Sequence, residues 1–227
     1  MIIGKINFPI YATFIFLSFL FHIIFHIVYL KKKKLSNDYL FLSIFMNFIF
    51  CIIGAKILNL YTNKKMALTL LTAGFSSYGG AIGILLSSYL FSKMISNFFI
   101  LKSSILSLPL MYSISKLGCF FVGCCYGIPY KGLFNVTYLQ GLNISLFPVQ
   151  LVESIVFFLI FLVGIFYHKK KYILEIIILL SACAKFLLEY LRYENIGKFI
   201  CVNQVISLLL IFIVLIIIQR KKVKQTV

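Results

Sequence analysis

Seven apolar stretches recur along this chain, each near the roughly 20 residues needed to cross a bilayer, and they constrain its fold more than any other feature. Stretches this long and this numerous predict an all-α, polytopic membrane protein. We interpret the first as a retained helix rather than a signal peptide, because its basic cluster follows the apolar residues instead of preceding them. The predicted spans are about 9–30, 39–60, 67–91, 98–121, 148–167, 172–192 and 201–219.

The basic residues predict the orientation of these helices, because Lys and Arg concentrate in loops that stay cytoplasmic. With the N-terminus outside, thirteen basic residues fall on the cytoplasmic side and six on the outer side. The C-terminus is then cytoplasmic, and residues 128–147 form a small extracytoplasmic loop within a single membrane domain, 1–227. The net charge of +17 sits at helix ends rather than on one soluble face, so it favours anionic lipid over nucleic acid as a partner.

Several polar residues lie inside the predicted spans, where ionisable groups are costly and commonly functional. They come from three helices at similar predicted depth: Lys116, Gln150, Glu153, Lys185, Glu189 and Arg192. The last three are spaced four and three residues apart, so they share one helical face. Three cations against two carboxylates leave one excess positive charge, which suits an anionic group such as a lipid phosphate. The alternative is that these charges only neutralise one another and join the helices.

Cysteines and histidines raise the question of a metal site. The segment Gly118-Cys-Phe-Phe-Val-Gly-Cys-Cys-Tyr-Gly127 holds three cysteines, but their spacing matches no recognised zinc or cluster pattern. We therefore predict that Cys119, Cys124 and Cys125 pack as small apolar residues. His22 and His26 are four residues apart, yet no third ligand completes a site on their helix, so they are assigned to helix contacts. No metal is predicted.

Four motifs, taken in order, resemble those of the bacterial prolipoprotein diacylglyceryl transferase family. Tyr78-Gly-Gly-Ala-Ile-Gly83 is similar to the family's His-Gly-Gly-Leu-Ile-Gly. Lys116-Leu-Gly-Cys-Phe-Phe-Val-Gly-Cys-Cys-Tyr-Gly127 resembles Arg-Ile-Gly-Asn-Phe-x-Asn-Gly-Glu-x-x-Gly, and Phe147-Pro-Val-Gln-Leu-Val-Glu153 resembles His-Pro-Ser-Gln-Leu-Tyr-Glu. Lys185-Phe-Leu-Leu-Glu-Tyr-Leu-Arg192 with Asn203-Gln-Val-Ile-Ser207 resembles Arg-Phe-x-x-Glu-Phe-x-Arg with Gly-Gln-x-x-Ser.

The resemblance implies a seven-helix enzyme of the bacterial plasma membrane that acts as a monomer and needs no cofactor. Its implied partners are phosphatidylglycerol and a lipoprotein signal peptide, whose cysteine thiol receives the diacylglyceryl group. The implied catalytic residues are Tyr78, Lys116, Glu153, Lys185, Glu189 and Arg192. The implied substrate-binding residues are Gly79, Gly80, Gly123, Gly127, Gln150 and Gln204.

The chain departs from the family pattern at several motif positions. Tyr78 and Phe147 stand where the family has histidine, and Lys116 stands where it has arginine. Cys119 and Cys124 replace an asparagine and a glutamate. Two alternatives therefore stay open: a divergent paralogue that transfers a lipid-derived group to another acceptor, and a non-catalytic lipid-binding or transport protein.

Overall fold

The computed structural model describes residues 2–3, 9–63, 75–138 and 144–226. Seven α-helices lie in these ranges, and the all-α prediction is confirmed. They are α1 (Pro9–Lys32), α2 (Asn37–Asn63), α3 (Ser77–Met94), α4 (Phe99–Val122), α5 (Val149–Phe166), α6 (Ile173–Glu189) and α7 (Val202–Thr226). Two short strands, β1 (Ile2–Ile3) and β2 (Thr137–Tyr138), pair in parallel.

Five of the described helices are long and apolar enough to cross a membrane, namely α1, α2, α4, α5 and α7. Their outward faces carry large apolar side chains, such as Phe41, which is 69% exposed, and Phe212, which is 66% exposed. Serine, histidine and charged side chains are buried instead. This distribution is the reverse of that in a water-soluble protein and identifies a multi-pass membrane protein. α6, at 17 residues, and the serine- and glycine-containing α3 fall outside that set.

The chain forms two compact units, one of residues 21–108 and one of residues 1–20 with 109–227. In the first unit, α2 and α3 pack closely because glycines face each other. A Cβ added at Gly79 would collide with the carbonyl of Gly54, and one at Gly83 would collide with the carbonyl of Phe50. Contacts between small residues are a common means of helix association in membranes.

A buried hydrogen-bond network holds the same unit together. His26 bonds through Nε2 to Ser43 Oγ at 3.0 Å and through Nδ1 to Ser103 Oγ at 2.8 Å, while His22 Nδ1 lies 2.8 Å from Ser107 Oγ. Asn47 accepts hydrogen bonds from serine hydroxyls of α3. These contacts join α1, α2, α3 and α4, so the predicted helix-contact role of the histidines is confirmed.

In the second unit, the segment after α4 folds back on the helix ends. Leu146 and Val136 exchange backbone hydrogen bonds of 2.9 and 3.0 Å, and both pack against Phe120 and Tyr138. The described residues of the predicted 128–147 loop therefore form a small cap with its own apolar core. This cap places the turn after α4 beside the start of α5 and the end of α6.

Candidate active site

The Glu153 carboxylate is the centre of a buried charge cluster. It is fully buried in the first turns of α5 and accepts a hydrogen bond of 2.8 Å from Lys185 Nζ. Arg192 Nη2 reaches both of its oxygens at 2.9 Å, and Lys116 Nζ lies 3.2 Å from Oε2. The Tyr112 hydroxyl donates a fourth contact at 3.0 Å. Three cations from separate segments thus converge on one carboxylate. In a water-poor interior these ion pairs are strong, and removing one partner is costly.

Glu189 provides the second carboxylate of the cluster. Its oxygens lie 2.7 Å from Lys185 Nζ and 3.5 Å from Arg192 Nε. Asn195 and Asn203 donate side-chain hydrogen bonds to it at 2.8 and 3.0 Å. Lys185 and Arg192 are therefore each held between two carboxylates. The predicted common helical face holds for Lys185 and Glu189 in α6 but not for Arg192, which follows the helix in an extended conformation.

The cluster keeps one positive charge in excess, and the geometry places it at Lys116. Among the described residues, Lys116 pairs with a single carboxylate, while the other two cations each contact two. Its ammonium also lies over the Tyr112 ring, 5.0 Å from the centroid, in a cation–π contact. An ammonium has three donors, so Lys116 keeps the capacity to bind an added anion.

The position of Arg192 is set by a backbone contact with the cap rather than by α6. The sequence predicted a helix through residue 192, but α6 ends at Glu189 and Arg192 is extended, because it bridges to Gly127 across the cap. Burial disfavours the charged form of Arg192, yet the Glu153 carboxylate overcomes this and holds its pKa well above the ordinary value. The guanidinium is therefore a permanent cation of the site.

Two of the predicted glycines shape the turn that follows α4. Gly123 has φ +71°, a left-handed conformation, and a Cβ there would lie 2.6 Å from the Tyr138 ring. A Cβ at Gly127 would meet the carbonyl of Phe147. These positions bring the turn close to Gln150, which is fully buried and donates from Nε2 to the Cys124 carbonyl at 2.8 Å.

The remaining predicted site residues belong to other elements. Tyr78 is in the first turn of α3, in the unit of residues 21–108, and Gly79 and Gly80 are buried at the α2–α3 contact. Gln204 caps the start of α7, since its Oε1 accepts from the Cys201 amide at 2.9 Å and its Nε2 lies 3.4 Å from the Phe186 carbonyl oxygen. The charge cluster itself therefore comprises five of the six predicted catalytic residues.

Sequence reasoning missed Tyr112, which touches Glu153 and stacks near both lysines. Its spacing of four residues before Lys116 was the available signal, because residues four apart share a helix face. Asn195 and Asn203 were also missed, although both supply hydrogen bonds to Glu189. Tyr11 of α1 belongs to this region too, within electrostatic range of Lys116.

Comparison with known proteins gives the family. The sequence profile described as prolipoprotein diacylglyceryl transferase matches residues 1–220. The chain belongs to the prolipoprotein diacylglyceryl transferase family. It is 30% identical over 203 residues to the phosphatidylglycerol–prolipoprotein diacylglyceryl transferase of Clostridium tetani (strain Massachusetts / E88), covering 81% of each chain. It is 25% identical over 197 residues to phosphatidylglycerol–prolipoprotein diacylglyceryl transferase 2 of Clostridium perfringens (strain 13 / Type A), covering 76% of this chain and 75% of the relative.

Membership of the prolipoprotein diacylglyceryl transferase family confirms the resemblance drawn from four short motifs. The motifs that placed the chain in this family also supply most of the charge cluster: Lys116 from the glycine-rich signature, Glu153 from the third motif, and Lys185, Glu189 and Arg192 from the fourth. The motifs are far apart in sequence, and folding brings their charged members into contact.

Proposed function

We propose that this protein transfers the diacylglyceryl group of phosphatidylglycerol to the cysteine thiol of a prolipoprotein signal peptide, a step in lipoprotein maturation. Family membership supports the reaction, and both relatives carry names that state this donor and this class of acceptor. The chain would act as a single membrane domain and a monomer in the bacterial plasma membrane. The lysine distribution supports seven spans with the N-terminus outside and the C-terminus in the cytoplasm.

The observation that carries the proposal is the excess positive charge of the buried cluster, at Lys116. Phosphatidylglycerol presents one phosphodiester anion, and a buried ammonium beside two further cations can bind it. During transfer, the glyceryl carbon bonds to the thiol sulfur while its bond to the phosphate oxygen breaks. The electron pair stays on glycerol phosphate, so the negative charge on the phosphate increases. Cations in a water-poor site therefore stabilise the transition state more strongly than they stabilise the bound lipid.

The remaining predicted residues have supporting roles in this proposal. Lys185 and Arg192 would bind the phosphate with Lys116, and Glu153 and Glu189 would hold these cations in place. Gln150, Gly123 and Gly127 would line the head-group site near the turn after α4. Gly79, Gly80 and Gln204 would contact the lipid or the peptide. Tyr78, which occupies the family's histidine position, would hydrogen-bond the acceptor thiol.

The test is a transfer assay with purified protein in liposomes of phosphatidylglycerol labelled in its head group, with a cysteine-containing signal peptide. We expect released glycerol phosphate and lipidated peptide in equal amounts. Lys116→Met should lower the rate by about 10²-fold or more, as removal of one charge-stabilising donor does in other enzymes. Lys116→Arg is the matched control, because it keeps the charge and restores a planar fork that suits phosphate. Full activity of Lys116→Met would overturn the phosphate-binding role.

A second candidate function keeps the lipid donor and changes the acceptor. It is favoured by the replaced motif residues, above all Tyr78 and Phe147 at the two histidine positions. The same assay separates the two functions. Release of glycerol phosphate in the presence of membrane extract, without any lipidation of the cysteine peptide, would support another thiol, amine or hydroxyl as the acceptor.

A further inference from the structure

Three thiols meet beside the charge cluster, although their spacing in the sequence gave no sign of it. The Sγ atoms of Cys119, Cys124 and Cys125 all lie within 4.8 Å of one another, and all three cysteines are free. Cys119 is in the last turn of α4, and the other two follow the turn at Gly123. Cys125 has φ +55°, a left-handed conformation that a non-glycine residue adopts at a cost. The turn is thus held in a strained form that brings the thiols together.

This spacing suits a thiophilic metal ion. Zinc binds thiolates at about 2.3 Å, which places the sulfurs of a tetrahedral site about 3.8 Å apart. Thiols within 4.8 Å of one another are at most about 1 Å beyond that distance. A zinc ion with three protein ligands and an open fourth position is typical of catalytic sites, whereas structural zinc has four protein ligands.

Gln150 gives an independent indication of a ligand at this place. It is fully buried and its Nε2 donates to the Cys124 carbonyl at 2.8 Å, but its Oε1 is buried with no hydrogen-bond partner among the described residues. A buried acceptor of this kind needs a donor. A water molecule on a metal held by the neighbouring thiols would supply one, as outer-shell groups commonly do at metal sites.

The net charge of such a metal site is opposite to that of the neighbouring charge cluster. Zinc with three thiolates carries one net negative charge, and the adjacent cluster of three cations and two carboxylates carries one net positive charge. Lys116 lies within electrostatic range of Cys119 and Cys125, and Arg192 within range of Cys125.

We propose that Cys119, Cys124 and Cys125 bind one Zn²⁺ and that the acceptor thiol takes its fourth coordination position. This inference rests on the proposed function and departs from the prediction of no metal. A zinc-bound thiol loses its proton outright, so the metal supplies the activation for which Tyr78 is poorly suited, since an ordinary phenol has a pKa near 10.

The transfer forms one carbon–sulfur bond and breaks one carbon–oxygen bond. The thiol proton leaves on coordination and passes to solvent. The zinc-bound sulfur forms a bond to the glyceryl carbon of phosphatidylglycerol, whose bond to the phosphate oxygen breaks with the electron pair on oxygen. The products are a thioether, which leaves the metal because it is a weaker ligand than a thiolate, and glycerol phosphate.

The first experiment measures metal binding without any reaction. Full-length protein is purified in detergent without chelator, and its zinc content is compared with that of the combined Cys119→Ser, Cys124→Ser and Cys125→Ser variant. We expect one zinc per wild-type chain and none in the variant, with Cys183→Ser as a matched control that keeps its metal. Co²⁺ added to stripped wild-type protein should give a thiolate charge-transfer absorption band. Wild-type protein that binds neither ion, or that contains a disulfide among these cysteines, would overturn the site.

The second experiment separates the metal site from the reaction. We expect peptide lipidation to stop when zinc is stripped and to return with added Zn²⁺. If stripped protein transfers at the full rate, the proposed function stands and the role of zinc in it is overturned. If zinc binds at one per chain but no lipidated peptide ever forms, the site stands while thiol activation and the proposed function both fail.

Discussion

Replacing Glu153 by glutamine tests whether one carboxylate holds the buried cluster together. The substitution keeps the side chain's size but removes the charge that three cations share at 2.8 to 3.2 Å. Three buried cations would then face only Glu189, which raises the local excess from one positive charge to two. Removing one partner of a buried ion pair typically costs about 3–5 kcal/mol, which is a roughly 10²- to 10⁴-fold change in the unfolding equilibrium.

Glu175→Gln is the matched control, because Glu175 of α6 also pairs with a lysine but lies outside the charge cluster. It pairs with Lys221, which is 51% exposed, so solvent screens the interaction. We expect this loss to stay within about 1 kcal/mol. The double variant Glu153→Gln/Lys116→Met should recover part of the stability lost in Glu153→Gln, because it restores the original charge balance.

The assay is denaturant unfolding of the purified protein in detergent micelles, followed by circular dichroism, with the two single variants and the double variant side by side. We expect Glu153→Gln to unfold at a clearly lower denaturant concentration than either Glu175→Gln or the double variant. If Glu153→Gln matches the wild type within about 1 kcal/mol, the cluster is hydrated rather than buried, and the reasoning from low dielectric is wrong.

Three further predictions concern the glycines and Tyr78. Gly123→Ala should destabilise the protein more than Gly197→Ala in the same unfolding assay, because both residues have positive φ but only Gly123 has a ring against the added methyl group. Gly83→Ala should destabilise more than Gly80→Ala, because the first methyl group meets a backbone carbonyl and the second a movable side chain. Tyr78→Phe should slow lipidation of the peptide by about 10-fold, because it removes the proposed hydrogen bond to the acceptor thiol, without changing phosphatidylglycerol binding, measured by equilibrium sedimentation with labelled lipid.

The helices were largely predictable because each apolar run has the length of a bilayer. α4, predicted at about 98–121, is Phe99–Val122, and α5, predicted at about 148–167, is Val149–Phe166. The errors arise where polar residues continue or end a helix. α7 runs to Thr226 rather than 219, since its basic end remains helical and Lys221 pairs with Glu175. The predicted start of α3 at residue 67 lies outside the described residues.

The cluster was predictable in membership but not in arrangement. Charges are rare in membrane helices, so Lys116, Glu153 and Lys185 stood out, and similar depth indicated that they meet. That Glu153 binds all three cations depends on side-chain packing, which periodicity does not encode. Tyr112 was missed because a tyrosine in an apolar run resembles an ordinary core residue, although it lies four residues before Lys116. The contact between the thiols depends on the left-handed turn at Gly123, which no sequence spacing of cysteines indicates.

The central claim is tested most directly by the mass of the acceptor peptide after incubation with the purified protein and phosphatidylglycerol of defined acyl chains. We expect the cysteine-containing signal peptide to gain the mass of one diacylglyceryl group. A peptide with serine in place of that cysteine should be unchanged, and so should the cysteine peptide with Lys116→Met protein. An unmodified cysteine peptide, under conditions in which the Clostridium tetani relative modifies it, would contradict the account.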